Sequence, residues 1–218
     1  MSQVWQYFTD HQSEIRSWTW TTVWLAALPL LVGTLVALPI GWWASRTRWL
    51  YLPLITTAGI LYTIPSIVLF VSMPGLIGTK ILDPVNVAIA LTVYTFALMV
   101  RVSADAFGSV SSDTMSAADA MGFTTRQRLF GVQLPIAVPV LGAGLRVAAV
   151  SNVSLVSVAS TIGVAQLGSL FTEGNQTSDL HPILLALILF VLLALIFDAL
   201  VLLGIRLLTP WQRAVAGR

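Results

Sequence analysis

S-A-A-D-A-M-G-F-T-T-R-Q-R-L-F-G-V-Q-L-P, from Ser116 to Pro135, is the longest run with little membrane character between two apolar stretches. Ser112 or Asp113 can cap a short helix through Met121. Gly122 then supplies a left-handed position at which the chain turns. Thr124 can cap a second helix through Phe130. Ala117, Ala118 and Ala120 leave a face that another protein can approach closely. On these residues alone two readings stand: a compact knob presented at a membrane surface, or an ordinary polar loop with two helical turns.

Outward from this stretch the chain turns apolar on both sides. Upstream, span three runs from about Val85 to Val102, with Arg101 and Asp105 at its exit. Span two covers about Tyr51 to Met73. Its Thr63-Ile64-Pro65-Ser66 sequence predicts a kink, with hydroxyls near the carbonyl that proline leaves unpaired. Span one runs from about Trp20 to Ala44, and its ~24 residues reach roughly 36 Å as a helix, ample for a ~30 Å hydrocarbon core. Trp20 and Trp24 mark one end and Trp42 and Trp43 the other, the pattern of interfacial aromatic belts. Downstream, span four starts at Pro135, where a missing N–H costs nothing, and continues past Arg146 to about Val158. Residues 159–181 form a loop rich in Gly, Ser and Thr. Span five covers about Pro182 to Leu208, with Asp198 inside it.

The composition agrees. Hydrophobic residues make up 57% of the 218 positions and charged residues 9%, against about 25% charged in a soluble domain. A net charge of +2 gives no reason to expect nucleic acid as a partner. The absence of cysteine excludes a disulfide framework and a thiolate metal site. The N-terminus does not read as a signal peptide, since Asp10, Glu14 and Arg16 interrupt it. The expectation is an all-α integral membrane protein with about five transmembrane helices and short helices between spans three and four.

Charge orients it. Arg46, Arg48, Arg101, Arg126, Arg128, Arg206, Arg213 and Arg218 fall on one side of five spans, and only Arg16 and Lys80 on the other. The positive-inside rule places the N-terminus outside and the C-terminus, with the 116–135 stretch, in the cytoplasm. Residues 1–19 are then an extracytoplasmic leader, either a helix lying at the interface or a loosely ordered segment. Residues 20–210 form one transmembrane domain, with the segment 107–134 between spans three and four, and 211–218 a cytoplasmic tail. No internal repeat points to an inverted-repeat transporter.

The spacing across 116–135 resembles the EAA motif of ABC importer permeases: EAA, three residues, Gly, nine residues, Ile-x-Leu-Pro. Ala117, Ala118, Gly122, Leu134 and Pro135 match in register, Val132 stands for Ile, and Ser116 replaces the leading Glu. The resemblance implies a coupling helix docked in a cleft of an ATPase subunit through residues 113–131. Ser116, Ala117, Ala118, Gly122, Thr124, Arg126, Leu134 and Pro135 are the implied coupling residues, with one polar contact altered at Ser116. The chain is further similar to the small permeases of the osmoprotectant branch (glycine betaine, carnitine, choline) over about residues 20–210. That similarity rests on Tyr62-Thr63-Ile64-Pro65-Ser66, on Leu134-Pro135 through Gly144-Leu145-Arg146, and on Ile162-Gly163 through Leu167-Gly168. Ala165-Gln166 stand where the branch has Gly-Gly.

Polar residues inside spans mark a path or interhelical bonding. Ser151, Ser154 and Ser157 share a face of span four with Asn152 beside it; they either line a translocation path or hold helices together. Tyr62, Thr63 and Ser66 near the proline kink, with Tyr94 of span three, either offer aromatic faces to a quaternary ammonium or are ordinary interfacial residues. Arg146 needs a partner, and Asp198 or Asp105 can supply it. An intramembrane Arg146–Asp198 pair is the expectation.

His11 and His181 lack ligand spacing, so no metal is expected. No phosphate-binding glycine loop and no His–carboxylate arrangement is present, so the chain reads as a non-catalytic membrane subunit. The resemblance implies that ATP and Mg belong to separate ABC ATPase subunits. It also implies a second permease copy or paralogue, an extracytoplasmic substrate-binding protein, and a multi-pass place in a prokaryotic cytoplasmic (inner) membrane. The implied cargo is glycine betaine or another quaternary ammonium osmoprotectant. A methionine-like amino-acid permease, a small membrane enzyme and a non-transporting scaffold subunit are the alternatives.

Overall fold

The structure is a computed structural model that describes residues 2–210. The tail at 211–218, with Arg213 and Arg218, lies outside the described residues, as do the side chains at positions 1–3 and 48. The described residues form helices joined by short turns, and they depart from the expected spans at several boundaries.

Helix α1 (Ser2–Asp10) is followed after one residue by α2 (Gln12–Arg46), whose 35 residues extend about 52 Å. The expected boundary at Trp20 is therefore no boundary. Residues 12–19 form the first two turns of the span-one helix, because nothing between Gln12 and Trp20 breaks it and Ile15 is buried.

The second span is broken rather than kinked. Helices α3 (Arg48–Thr63) and α4 (Ser66–Ile77) meet at 100°. Pro65 disfavours the helical region for the residue before it. Ile64 accordingly sits at φ −64°, ψ 130° and Pro65 at φ −59°, ψ 133°, two extended residues that swing the chain. The Ile64 carbonyl freed by the break accepts from the Tyr94 hydroxyl. Neither Thr63 nor Ser66 takes that bond; Thr63 Oγ1 donates to Ile60 O at 2.7 Å instead.

Helix α5 (Pro84–Gly108) starts from an Asp83 cap, whose carboxylate accepts from Val85 N at 3.0 Å. It packs along α2 through a stripe of small residues, Gly33, Ala37 and Gly41, all buried. A Cβ at Gly33 would stand 2.7 Å from Thr95 Cβ, and one at Gly41 2.4 Å from Ser103 Cβ. The backbones approach because there is no side chain to hold them apart. The constant offset of these two contacts makes α2 and α5 parallel. The chain must therefore return from one end of the bundle to the other between them, and α3 with α4 carries it: the broken pair is one crossing.

Helix α6 (Ser112–Ala120) and the single turn α7 (Thr125–Arg128) follow. The chain then runs through a π-helical turn, Leu129–Gln133, straight into α8 (Leu134–Val158). The second short helix does not end at Phe130, and span four does not begin at Pro135. Proline in the first turn of α8 costs no bond, so the helix passes through it. Asn152 against Thr95, and Gly144 against Val102, show α8 antiparallel to α5.

The expected loop at 159–181 is largely structured. A 3-10 turn (Ala159–Ile162) leads to α9 (Ser169–Thr177), and α10 (Leu180–Leu208) closes the bundle antiparallel to α8. Gln166 is fully buried; its amide accepts from Gly168 N at 2.6 Å and donates to Ser157 O at 3.3 Å, while Leu167 N bonds Thr22 Oγ1. The Gln that stands in place of glycine thus ties this segment to the end of α8.

Candidate functional site

The expected coupling region forms a two-helix module at one end of the bundle. Ser111 caps α6, one residue before the expected Ser112 or Asp113, and accepts from Thr114 N at 3.2 Å. Phe123 N bonds Ala118 O at 3.1 Å and Gly122 N bonds Asp119 O at 2.9 Å, a Schellman closure. Gly122 takes φ +77°, as the closure requires. Thr124 and Gln127 then form a reciprocal capping box at the start of α7. Asp119 of α6 pairs with Arg128 of α7, which joins the two helices into one body. Ala118 is buried beneath the module, while Ser116, Ala117, Ala120 and Arg126 face outward. Met121 and Phe130 stand exposed beside them.

The module meets the bundle at the π turn. Leu134 N reaches back five residues to Leu129 O, so Gln133 is carried inward and is only 6% exposed. Its Oε1 accepts from Trp42 Nε1 at 2.9 Å and from Arg46 Nη2 at 3.3 Å. The Arg46 guanidinium lies 4.3 Å above the Trp42 ring. Leu134 and Pro135 line an apolar groove of about 500 Å³ with Leu38, Met99 and Phe130. Gln133, Asp119 and Arg128 were missed in the sequence. Only the isolated polarity of Gln133 between Val132 and Leu134 hinted at its role.

Arg46, Arg126, Arg128 and Arg206 gather at this same end, with Arg101 near it; Arg16 and Lys80 lie at the opposite one. At that opposite end, Tyr7 donates to Glu173 Oε1 at 2.7 Å, joining α1 to α9. Burial and the Glu173 carboxylate push the Tyr7 phenol well above its ordinary range. Asp179 caps α10 through His181 N at 3.0 Å, and this backbone bond holds its carboxyl below the usual range.

The expected path residues do not converge. Tyr62 and Thr63 line a groove between α3 and α5 with Ala97 and Arg101, and Ser66 begins α4 beyond the break. Tyr94 packs edge-on against Tyr62 at 5.8 Å, with its hydroxyl held by Ile64 O. Ser154 and Ser157 line a separate groove between α8 and α10, and Ser151 is half-buried one turn away. Asn152 is 2% exposed; it donates to Thr95 Oγ1 at 2.9 Å and Ala26 O at 3.3 Å, bonding three helices together. Arg146 and Asp198 meet in a two-point ion pair. Asp105 accepts from Tyr51 at 2.5 Å and stands 4.0 Å from Arg101.

Comparison with known proteins adds four findings. Residues 30–209 match the family described as the binding-protein-dependent transport system inner membrane component. The chain is 32% identical over 195 residues to the osmoprotectant import permease protein OsmW of Salmonella typhimurium, covering 88% of this chain and 90% of that protein. It is 30% identical over 199 residues to the glycine betaine/proline betaine transport system permease protein ProW of Escherichia coli, covering 85% of this chain and 52% of ProW. In fold it resembles a chain of the MetNI methionine ABC transporter solved in inward-facing conformations. That match has a TM-score of 0.81 at 22% identity and covers 92% of this chain and 98% of the other.

Proposed function

The chain belongs to the family of binding-protein-dependent transport system inner membrane components, and on that premise we propose that it is the permease subunit of an ATP-driven importer of small osmoprotectants. It is a multi-pass inner-membrane protein. Glycine betaine and related quaternary ammonium compounds are the proposed cargo, as the names of its relatives indicate. The observation that carries the mechanism is the α6–Gly122–α7 module at the arginine-rich end. Its small-residue helix, flanked by exposed Met121 and Phe130, has the form of a surface built to enter a protein cleft.

That end faces the cytoplasm, by the excess of arginine there. Two ATPase subunits dock on the modules of two permeases, and the partner permease is either a second copy or a paralogue. ATP and Mg are bound and used in the ATPase subunits; this chain contributes no catalytic group. Closure of the ATPases on ATP displaces the modules and shifts the bundles between states open to either side. A binding protein outside delivers the cargo and sets most of the selectivity. The likeness to the methionine transporter is one of fold and does not move the cargo to amino acids.

The test is reconstitution of this chain in liposomes with an ATPase and a binding protein of the osmoprotectant type. Hydrolysis stimulated by glycine betaine, choline or carnitine supports the proposal. Stimulation by amino acids alone replaces the cargo but keeps the permease. Failure to hold any ATPase, across several candidates, removes the docking role.

A further inference from the structure

We propose that Gln133 is a positioning residue through which displacement of the α6–α7 module reaches α2, with the π turn as the joint. The inference rests on the reading of that module as the ATPase-docking surface. Four features converge on it. The Asp119–Arg128 pair and the Schellman closure make the module move as one body. The π turn inserts one extra residue between that body and α8, which rotates what precedes it by about 100° relative to an unbroken helix. Such single-turn π insertions in helices recur at functional sites.

The third feature is the position of Gln133 on the last residue of that turn. It is the one polar side chain in Leu129–Gln133, and it is buried with both of its donors on α2. The fourth is what lies behind those donors. Trp42 and Arg46 are one helical turn apart at the end of α2, immediately past Gly41, where α2 rests directly on the α5 backbone. A helix held that closely has little room to absorb a displacement locally. A pull on Trp42 and Arg46 is passed along α2 toward the opposite end. An apolar residue at 133 would leave the module attached through the main chain but without its hydrogen bonds to Trp42 and Arg46 of α2.

The chain has no cysteine, so labels can be placed at will. Spin labels at Ser112→Cys on α6 and Leu35→Cys on α2 report the module's position in lipid nanodiscs without any partner. The expected distance distribution is narrow in the parent chain and in Gln133→Glu, which keeps the acceptor, and broad in Gln133→Leu. In liposomes with a co-purified ATPase, Gln133→Leu should retain the ATPase and its basal hydrolysis, while cargo moved per ATP falls about tenfold, within the usual span of coupling energies. Gln133→Glu should restore it. Unchanged distances and unchanged cargo per ATP in Gln133→Leu would overturn the inference, as would a Gln133→Glu variant no better than Gln133→Leu. If Gln133→Leu does not assemble, Trp42→Phe removes one donor alone and must show the same loss in part. A parent chain that holds no ATPase defeats the docking reading instead, and the label distances still decide the role of Gln133 in placing the module.

Discussion

Arg146 and Asp198 face each other across α8 and α10, Nε donating to Oδ1 and Nη2 to Oδ2 at 2.7 Å each. Both parallel bonds of the guanidinium fork are used, so the pair fixes orientation as well as distance. Arg146→Ala or Asp198→Asn leaves one charge unmatched within a membrane span. Each should lower the yield of assembled chain and its melting temperature in detergent. An Arg146→Met, Asp198→Leu double variant should recover most of the loss, because removing both charges removes the mismatch. Two single variants with normal yield and melting would show that the pair does not clip α8 to α10.

Gly122 stands at φ +77° with open space around it, so the cost of a side chain there is conformational and not steric. Gly122→Val should destabilise the module's turn by about 1–2 kcal/mol or more, and Gly122→Asn by less, since Asn tolerates the left-handed region. Membrane insertion should be unaffected. Co-purified ATPase, measured per mole of chain, should fall in the order Gly, Asn, Val; equal amounts from all three would detach the turn from docking.

Gly41 would place a Cβ 2.4 Å from Ser103 Cβ and 2.8 Å from Ala104 N. Gly59 has nothing within 4 Å. Gly41→Leu should therefore cost about 3 kcal/mol or more through forced separation of α2 and α5, and Gly59→Leu far less. Thermal unfolding of the two variants in one detergent makes the comparison. Similar losses from both would mean that close helix approach is not what holds the bundle.

Asp179, at the start of α10, makes the fold sensitive to acid. Its folded carboxyl lies below its ordinary range because the charged form accepts His181 N–H. The stabilising contribution is present above the ordinary value of about 3.9 and is lost as pH falls through the lower folded value. Asp179→Asn keeps an acceptor that does not titrate. The parent chain should lose melting temperature below about pH 4 more steeply than Asp179→Asn. Parallel curves would assign the acid sensitivity to other carboxylates.

Much of the architecture was legible because it depends on properties local in the chain. A composition of 57% hydrophobic residues needs lipid as solvent, and the apolar runs count out the spans. Gly122 as the left-handed turn and Thr124 as a cap follow from residue chemistry over three or four positions. Helix ends were less legible. The polar start of α2 looked like a leader because hydropathy drops there, yet a helix needs no lipid to continue and Ile15 found a buried place. The π turn was invisible, since no residue type marks a five-residue register.

Chain order and local chemistry by themselves determined that this is a helical membrane protein with a small polar module between its third and fourth crossings. Tertiary structure alone decided which polar groups serve packing and which remain outward. Serine, asparagine and tyrosine inside a span look the same whether they line a path or bond a neighbour. Asn152 and Tyr94 proved to bond neighbours only once α2, α3 and α5 were placed against them. Gln133 likewise gained its meaning from Trp42 and Arg46, residues roughly ninety positions away in the chain. A hydrogen bond depends on which two faces meet, and that is set by the packing of whole helices.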